Sequence, residues 1–231
     1  MGSFDAVVLA GGAGRRLGGV VKPEVEVAGR ALVDHALGAV AGAERRVLVG
    51  PATLARPGVP TTLEDPPGGG PVAGIDAGLA FLTADAGTDG SPDASRDDVG
   101  VVVVLACDVP RAGAVVEALV EAAGRPGVDG ARLVDAAGHP QHLVAAYRRG
   151  ALAAALGRLA SVRDVPVRAL VVGLRLVDVA DPGDVAADAD TWPDVHRLDT
   201  ELRADAGAGP GVARSDQPAP EAGRDDRGST P

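Results

Sequence analysis

The sequence has few aromatic residues, and this shortage restricts how its core can be built. Only four of its 231 residues are aromatic, namely Phe4, Phe81, Tyr147 and Trp192. Hydrophobic residues nevertheless make up 46%, so the core must consist mainly of Val, Leu and Ala. Such a core favours close packing of helices on a sheet over an aromatic-rich sandwich. The length allows one large domain or two small ones.

Positive charge and cysteine are also scarce. The 32 acidic residues outnumber the 22 basic ones and give a net charge of −10. This charge opposes attraction to phosphate backbones and anionic lipid, so we expect no nucleic-acid or membrane partner. The single cysteine, Cys107, cannot form an internal disulfide. The first apolar run ends at Ala10, too short for a signal-peptide core or a membrane span. We therefore expect a soluble cytoplasmic protein.

Lysine is the scarcest basic residue, because Lys22 is the only one and the other 21 basic residues are arginines. This bias indicates that arginine replaces lysine wherever it will serve. The one surviving lysine thus marks a position where a compact ammonium group matters. We expect Lys22 to be an exposed loop side chain that contributes little to stability.

Apolar runs typical of buried strands alternate with helical patterns along the chain. Strands are predicted at residues 4–10, 46–49, 61–63 and 99–106, and helices at 31–40, 72–82 and 114–123. Beyond residue 124 the alternation is less regular. Apolar segments lie at 131–134 and 142–147, and a helix is predicted at 151–159 and a strand at 174–179. Short helices are predicted at 182–188 and 195–202. This alternation predicts an α/β fold: an open, mostly parallel, Rossmann-like sheet with helices on both faces.

Two segments contain almost no large apolar side chain. Residues 84–98 are predicted to be a solvated loop, and residues 204–231 a disordered tail. The domain prediction is therefore one domain over residues 1–190, a C-terminal helix over 191–203, and the tail.

A glycine-rich stretch, Leu9-Ala10-Gly11-Gly12-Ala13-Gly14-Arg15-Arg16-Leu17-Gly18-Gly19, follows the first strand and precedes Lys22-Pro23. Glycines there let backbone N–H groups approach a phosphate, and the basic side chains supply charge. A dinucleotide-binding fingerprint would need glycine at position 17, and a P-loop would need lysine at position 20. Leu17 and Val20 stand at these positions, so both patterns fail.

The remaining pattern, Leu-Ala-Gly-Gly-x-Gly-x-Arg-x-Gly followed by Lys-Pro, resembles the opening signature of NTP transferases. The double glycine makes this pattern most similar to that of the molybdenum cofactor guanylyltransferases. Further matching patches extend the resemblance to about residues 4–190. The resemblance implies a nucleotidyltransferase fold and Mg²⁺-dependent transfer of GMP from GTP to the phosphate of molybdopterin, with release of pyrophosphate. It also implies partners among the proteins that mature molybdoenzymes.

Asp108, in the patch Cys107-Asp108-Val109-Pro110, directly follows the valine-rich strand. Ligands bind at this carboxyl edge of open parallel sheets, and a carboxylate there can hold Mg²⁺. The resemblance assigns the metal to Asp108. The alternative is that Asp108 caps the helix after Pro110.

The resemblance also assigns the other site residues. Arg16 and Lys22 bind phosphates and form the catalytic set with Asp108. The positions assigned to nucleotide binding come from the glycine loop, the lysine and two acidic patches: Leu9, Ala10, Gly11, Gly12, Gly14, Lys22, Asp65 and Asp108. In the patch Gly70-Pro71-Val72-Ala73-Gly74, the proline suits the first turn of a helix whose N-terminus lies close to the ligand.

Two further patches carry weaker assignments. Residues 138–143 resemble the family segment beside the acceptor pocket, so either acceptor binding or a structural role is open for His139 and His142. Neither has the partners that a zinc site needs. Residues 178–185 align with the family pattern Asn-x-Asn-Thr-Pro-Glu-Asp-Leu, whose second Asn or Asp lies near the metal, and Ala180 occupies that position.

Other functions remain open at this level. A related transferase could use CTP or a sugar, lipid or lactyl phosphate acceptor. Ala180 raises the alternative of a catalytically weakened nucleotide-binding protein. An α/β domain of unrelated purpose is the least specific interpretation.

Overall fold

The structure, a computed structural model, describes residues 2–11, 15–86 and 100–207. Its centre is a seven-stranded sheet with the strand order β5-β4-β1-β6-β8-β7-β9. The strands of this sheet are β1 (Phe4–Leu9), β4 (Arg46–Val49), β5 (Thr61–Thr62), β6 (Val101–Ala106), β7 (Gly130–Val134), β8 (Pro140–Arg148) and β9 (Leu176–Ala180). Two short strands, β2 (Glu26–Val27) and β3 (Arg30–Ala31), form a separate hairpin.

The sheet is mostly parallel, which confirms the predicted α/β fold. Strands β5, β4, β1 and β6 pair in parallel, as do β7 and β9, whereas β8 is antiparallel to both of its neighbours. The antiparallel strand arises because a tight turn joins β7 to β8. Asp135 closes that turn by accepting hydrogen bonds from the backbone N–H groups of Ala137 and His139.

Helices cover both faces of the sheet. They are α1 (Leu32–Ala39), α2 (Gly70–Ala86), α3 (Val116–Ala123), α4 (Arg149–Gly157), α5 (Val167–Leu170) and α6 (Trp192–Gly207). Helices α1 and α3 pack on one face, and α2, α4 and α5 on the other. Helix α2 lies very close to β1, because a Cβ on Gly78 would stand 2.6 Å from Cγ1 of Val7. Glycine thus sets the distance between this helix and the sheet.

A third, smaller core joins the C-terminal helix to the segment after the glycine loop. We call residues 15–31 the arm. Leu17, Val25 and Val27 of the arm pack with Val195 and Leu198 of α6. The arm also contains two 3₁₀ turns, Arg15–Leu17 and Lys22–Glu24.

The hairpin of the arm turns at Ala28 and Gly29. Both residues have positive φ angles, 52° and 73°, as a type I′ turn requires. Ala28 is strained in this conformation, and its backbone N–H donates to a carboxylate oxygen of Asp199 on α6 at 2.7 Å. Helix α6 therefore holds the arm in place through a polar contact as well as through the third core.

The predicted elements agree with the structure except near the C-terminus. Residues 182–188 form bends and turns, so the predicted short helix there is wrong. The side chain of Asp181 accepts backbone hydrogen bonds from Gly183, Val185 and Ala186, which replaces helical bonding, and Asp184 has a φ of 55°.

Two segment boundaries also differ. Helix α6 continues to Gly207, which corrects the predicted tail over its first residues, and α2 continues to Ala86 within the predicted loop. The rest of the loop and of the tail, residues 87–98 and 208–231, lies outside the described residues. None of the helices in the described part is both long and apolar enough to cross a membrane.

Candidate active site

The glycine loop and the Asp108 patch lie side by side because their strands are neighbours in the sheet. Strand β1 pairs with β6 in parallel, and the N–H of Cys107 donates to the carbonyl of Leu9 at 3.0 Å. Leu9 and Ala10 are buried, whereas Gly11 is exposed and a Cβ there would meet no atom within 4 Å. The backbone at Gly11 is therefore open to a ligand. Gly12 and Gly14 lie outside the described residues.

Lys22 is at the centre of an ion cluster that bridges three distant segments. Its Nζ lies 2.7 Å from Oδ2 of Asp108 and 2.5 Å from Oδ1 of Asp190. The lysine side chain is only 10% exposed, so the expectation of an exposed lysine is wrong. It is buried because the two carboxylates, from the end of β6 and the start of α6, enclose the ammonium group.

Asp190 is the site residue that the sequence interpretation missed. The N–H of Ala189 donates to the backbone carbonyl of Asp108 at 2.9 Å, which brings the next carboxylate to Lys22. Thr191 and Asp194 then cap α6 reciprocally: the N–H of Thr191 donates to Asp194 at 3.0 Å, and the N–H of Asp194 donates to Oγ1 of Thr191 at 3.4 Å. The position of Asp190 is thereby fixed at the entry to the helix.

Position 180 does not supply the second carboxylate of this cluster. Ala180 is the last residue of β9, exposed and paired in register with Val134. The residues that precede α6, Asp188-Ala189-Asp190-Thr191, fit the family pattern Asn-x-Asn-Thr better, because they retain the threonine. The structure thus favours Asp190, in place of Ala180, as the match to the second Asn of that pattern. The signal that could have located it is the capping pair Thr191 and Asp194.

Arg16 completes the cluster from the solvent side. Its Nη1 lies 2.8 Å from Oδ2 of Asp190, and its side chain is 74% exposed. The guanidinium group can therefore leave this pair for an anionic ligand at little cost. Two cations and two carboxylates balance the charge of the cluster.

The cluster shifts the pKa values of its members in opposite directions. Burial alone would lower the pKa of Lys22, but the charges and hydrogen bonds of Asp108 and Asp190 raise it above its ordinary value of 10.5. The hydrogen bond from Lys22 lowers the pKa of Asp190 below 3.8, with a smaller effect from Arg16. Both groups are thus charged at neutral pH.

A third carboxylate lies near the cluster without joining it. Desolvation, together with the negative charges of Asp190 and Asp108, raises the pKa of Asp188 above 3.8. Cys107, which precedes Asp108, is buried, and burial raises the pKa of its thiol to about 12. A thiol with that pKa is not a nucleophile at neutral pH.

Asp65 is exposed, and the strand that precedes it, β5, lies two places from β1 in the sheet, on the side away from β6. It follows β5 in a loop where Gly68 donates to Oε1 of Glu64 at 3.0 Å and the guanidinium of Arg163 donates to the carbonyl of Pro66. The structure does not bring Asp65 into contact with Lys22 or Asp108. Its loop leads into the N-terminus of α2, where Gly70 has a φ of 84°.

The 138–143 patch forms the start of β8. His139 is exposed and stands 3.4 Å from Asp135, and the N–H group of Gln141 donates to Asp135 at 3.2 Å. Burial lowers the pKa of His142, and its backbone carbonyl accepts a hydrogen bond from the buried Tyr147 at 2.8 Å. These contacts support a structural role for the patch. The assignment to acceptor binding stays a prediction.

The carboxylates of the cluster fit a small, hard cation. Asp108 and Asp190 both reach one positively charged group, and carboxylate oxygens are the ligands that Mg²⁺ prefers. Within residues 2–11, 15–86 and 100–207, no group of three or more His, Cys, Asp or Glu side chains is placed to hold a metal. Mg²⁺ commonly takes one or two protein carboxylates and completes its shell with substrate phosphates and water.

Comparison with known proteins finds one matching family model and one curated relative. The profile of the MobA-like NTP transferase domain matches residues 6–173. A molybdenum cofactor guanylyltransferase from Acidiphilium cryptum is 47% identical over 88 residues, which cover 36% of this chain and 44% of that protein. The chain therefore matches less than half of the length of this curated relative.

Solved structures show the same fold. Molybdopterin-guanine dinucleotide biosynthesis protein A from Archaeoglobus fulgidus aligns with a TM-score of 0.64 and 23% identity, over 87% of this chain and 100% of that one. The protein Rv0371c of Mycobacterium tuberculosis, solved as a complex with manganese, aligns with a TM-score of 0.58 and 23% identity, over 85% and 98%.

Proposed function

Because the chain belongs to the MobA-like NTP transferase family, we propose that it transfers GMP from GTP to the phosphate of a molybdopterin-type acceptor. An acceptor phosphate oxygen attacks the α-phosphorus of GTP, the bond to the β-phosphate breaks, and pyrophosphate leaves. No enzyme nucleophile is needed, so catalysis consists of positioning the two substrates and neutralising charge. The observation that carries this proposal is the Lys22–Asp108–Asp190 cluster beside the open backbone of Gly11.

The residues of the chain take separate roles in this reaction. The backbone at Leu9, Ala10 and Gly11 contacts the nucleotide, together with Gly12 and Gly14. Lys22 and Arg16 bind phosphate oxygens, and Lys22 stabilises the charge that develops as pyrophosphate leaves. Asp65 binds the nucleoside from the β5 side of the cleft.

Asp108 and Asp190 would hold Mg²⁺. When bound, the ion would neutralise phosphate charge and polarise the α-phosphate. The mycobacterial neighbour was solved as a complex with manganese, and this agrees with the use of a divalent cation. The carboxylates also position Lys22, which turns to the phosphates when these enter.

Asp190 argues against a catalytically weakened protein, because it supplies the cluster with the second carboxylate that Ala180 cannot provide. A transferase that uses CTP remains the other candidate. The double glycine Gly11-Gly12 resembles that of the guanylyltransferases and favours GTP, and the curated relative is named a guanylyltransferase. Partner proteins that mature molybdoenzymes, and a cytoplasmic location, remain predictions from the resemblance.

Pyrophosphate release tests the proposal directly. The purified chain is mixed with molybdopterin, Mg²⁺ and one nucleotide at a time, and GTP is expected to give the highest kcat/KM. Lys22→Ala is expected to lower that value by about 10²–10³-fold, as the loss of one transition-state donor does. Higher activity or tighter calorimetric binding with CTP than with GTP would refute the nucleotide assignment.

A further inference from the structure

The only tryptophan of the chain lies at an exposed position next to the ion cluster. Trp192 is the first residue of α6, two residues after Asp190, and it is 44% exposed. Its indole lies against His196, one turn along the helix, with the ring centroids 6.3 Å apart. An exposed tryptophan offers a large aromatic surface to a ligand.

Trp192 lines an open cavity of about 410 Å³. Its other walls come from the arm: Val20, Val21, Glu24, Val25 and Glu26. Val20 and Val21 are 38% and 56% exposed, which is unusual for large apolar side chains in a row. A volume of this size is in the range of small-molecule sites.

The two acidic walls of the cavity differ in their contacts. Glu24 is occupied, because Arg56 donates to both of its carboxylate oxygens, at 2.8 and 3.1 Å. Glu26 accepts no side-chain hydrogen bond in the described part of the chain, although its charge interacts with Arg203. The cavity thus combines an aromatic surface, apolar walls and one carboxylate that accepts no hydrogen bond from the side chains of the described residues. A flat ring that presents two adjacent N–H donors complements these groups.

The cavity is lined by the arm and α6, and neither Asp65 nor any residue of α2 is among its lining residues. Helix α2, whose N-terminus follows the Asp65 loop, packs on one face through Val72 and Ile75. The arm continues into α1, which packs on the other face through Val33 and Ala36. The guanine of GTP, held near Asp65, would therefore not occupy the Trp192 cavity.

We infer that the Trp192 cavity binds the pterin ring of the acceptor, an assignment that rests on the proposed function. A pterin presents an amino group and a ring N–H on one edge, which matches the carboxylate of Glu26, and its bicyclic face stacks on Trp192. Val21 precedes Lys22 and Trp192 lies two residues after Asp190, so the cavity adjoins the ion cluster that binds phosphate in the proposed reaction. Trp192 and Glu26 are thus specificity residues for the acceptor.

Binding of 6-hydroxymethylpterin tests this inference without turnover. Tryptophan emission reports on Trp192 alone and is expected to be quenched, while the anisotropy of pterin fluorescence gives Kd. Trp192→Ala is expected to weaken pterin binding about 10-fold, and Trp192→Phe to restore most of it, since stacking is the lost interaction. Glu26→Gln is expected to weaken it several-fold, because an amide has one acceptor oxygen where the carboxylate has two.

A pair of matched valine variants separates the cavity from the general surface. Val21→Ala lies in the cavity and is expected to weaken pterin binding, whereas Val172→Ala, at a residue that is 72% exposed outside the cavity, is not. The Kd of GTP should be the same in all these variants. Unchanged pterin binding in Trp192→Ala, or an equal loss of GTP binding, would overturn the inference.

Two further outcomes distinguish this inference from the proposed function. A wild-type chain that releases pyrophosphate from GTP with molybdopterin but ignores the pterin probe would overturn the cavity assignment alone. A chain that binds the pterin at Trp192 but transfers no GMP would overturn the proposed reaction. Self-association that Trp192→Ala abolishes, without pterin binding, would assign the cavity to a second copy of the chain.

Discussion

Two ion clusters stand at opposite ends of β1, and they are built in opposite ways. At the amino end, the single carboxylate of Asp5 is shared by Arg45, at 2.7 Å, and by Arg149. At the carboxyl end, the single ammonium of Lys22 is shared by Asp108 and Asp190. The side chains of Asp5 and Arg149 are 9% and 4% exposed, whereas those of Asp108 and Asp190 are 26% and 34% exposed.

The difference in exposure separates a structural cluster from one that can exchange partners. Arg45 also donates to the carbonyl of Leu82 at 2.9 Å, so the guanidinium groups around Asp5 are tied to the fold on several sides. Asp108 and Asp190 each keep oxygens that face solvent. The first cluster therefore stabilises the sheet, and the second is suited to bind ligands, although both contain buried cations.

The largest expected effect is a loss of stability on mutation of the Asp5 cluster at the amino end of β1. Asp5→Asn removes the carboxylate that pairs with both Arg45 and Arg149 and should lower the free energy of unfolding by about 3–5 kcal/mol, as the loss of one partner of a buried pair does. Urea unfolding measures this. Asp34→Asn, at a partly exposed pair with Arg56, is the matched control and should cost less than about 1 kcal/mol. Equal effects of the two variants would mean that the Asp5 cluster is not structural.

At the carboxyl end, the corresponding change should affect activity instead of stability. Asp108→Asn keeps the shape of the side chain and leaves Lys22 paired with Asp190, so the urea midpoint should change little. Pyrophosphate release should fall by about 10²–10³-fold, since a charged group at the reacting phosphates is lost. Asp178→Asn, where the aspartate pairs with Arg132 on the sheet edge, should retain full activity. A fully active Asp108→Asn variant would contradict the assigned metal ligand.

A third comparison concerns the ammonium group itself. Lys22 occupies the position between both carboxylates, so Lys22→Met should tighten Mn²⁺ binding in the absence of nucleotide by about 10-fold, because a like charge is removed. Electron paramagnetic resonance of free Mn²⁺ measures the affinity. Arg16→Met removes one charge from the exposed side and should change it by no more than about 2–3-fold. Weaker Mn²⁺ binding in Lys22→Met would show that the lysine does not compete with the metal.

The smallest effect is the pH dependence of the Lys22 cluster. The lowered pKa of Asp190 means that its contribution to stability is present above 3.8 and is lost as the pH falls through the folded value. The raised pKa of Lys22 means that its contribution is present below 10.5 and is lost as the pH rises through the folded value. The stability difference between wild type and Lys22→Met should thus be level between these limits and shrink outside them. Urea unfolding at a series of pH values measures this difference. A maximum of the difference near neutral pH, instead of a level region, would contradict the two pKa shifts.

The sheet could be predicted because its signals are local. Four consecutive valines before Cys107-Asp108 mark β6 and fix the place of Asp108 at the sheet edge, and the glycines after β1 mark the loop beside it. The burial of Lys22 could not be predicted, since it depends on a carboxylate 168 residues away in the sequence. Asp190 lies after an irregular segment, and the acidic residues on either side of Ala180 offered a competing match.

The hairpin of β7 and β8 was not predicted for a different reason. Its apolar segments are visible in the sequence, but the reversal of direction depends on the side chain of Asp135 closing the turn on the backbone of Ala137 and His139. The Trp192 cavity likewise combines residues of the arm and of α6, and no local pattern links them.

The distance between the partners of the Lys22 cluster also determines when the site forms during synthesis. Asp108 lies 86 residues after Lys22 in the sequence, and Asp190 lies 168 residues after it. On the ribosome, the sheet as far as β6 can pair well before Asp190 has left the exit tunnel, because a chain grows from its N-terminus. A nascent chain would then hold its glycine loop and Asp108 without the second carboxylate. The proposed binding site is complete only once α6 has emerged, so GTP and metal binding are expected only of chains whose synthesis has passed that point.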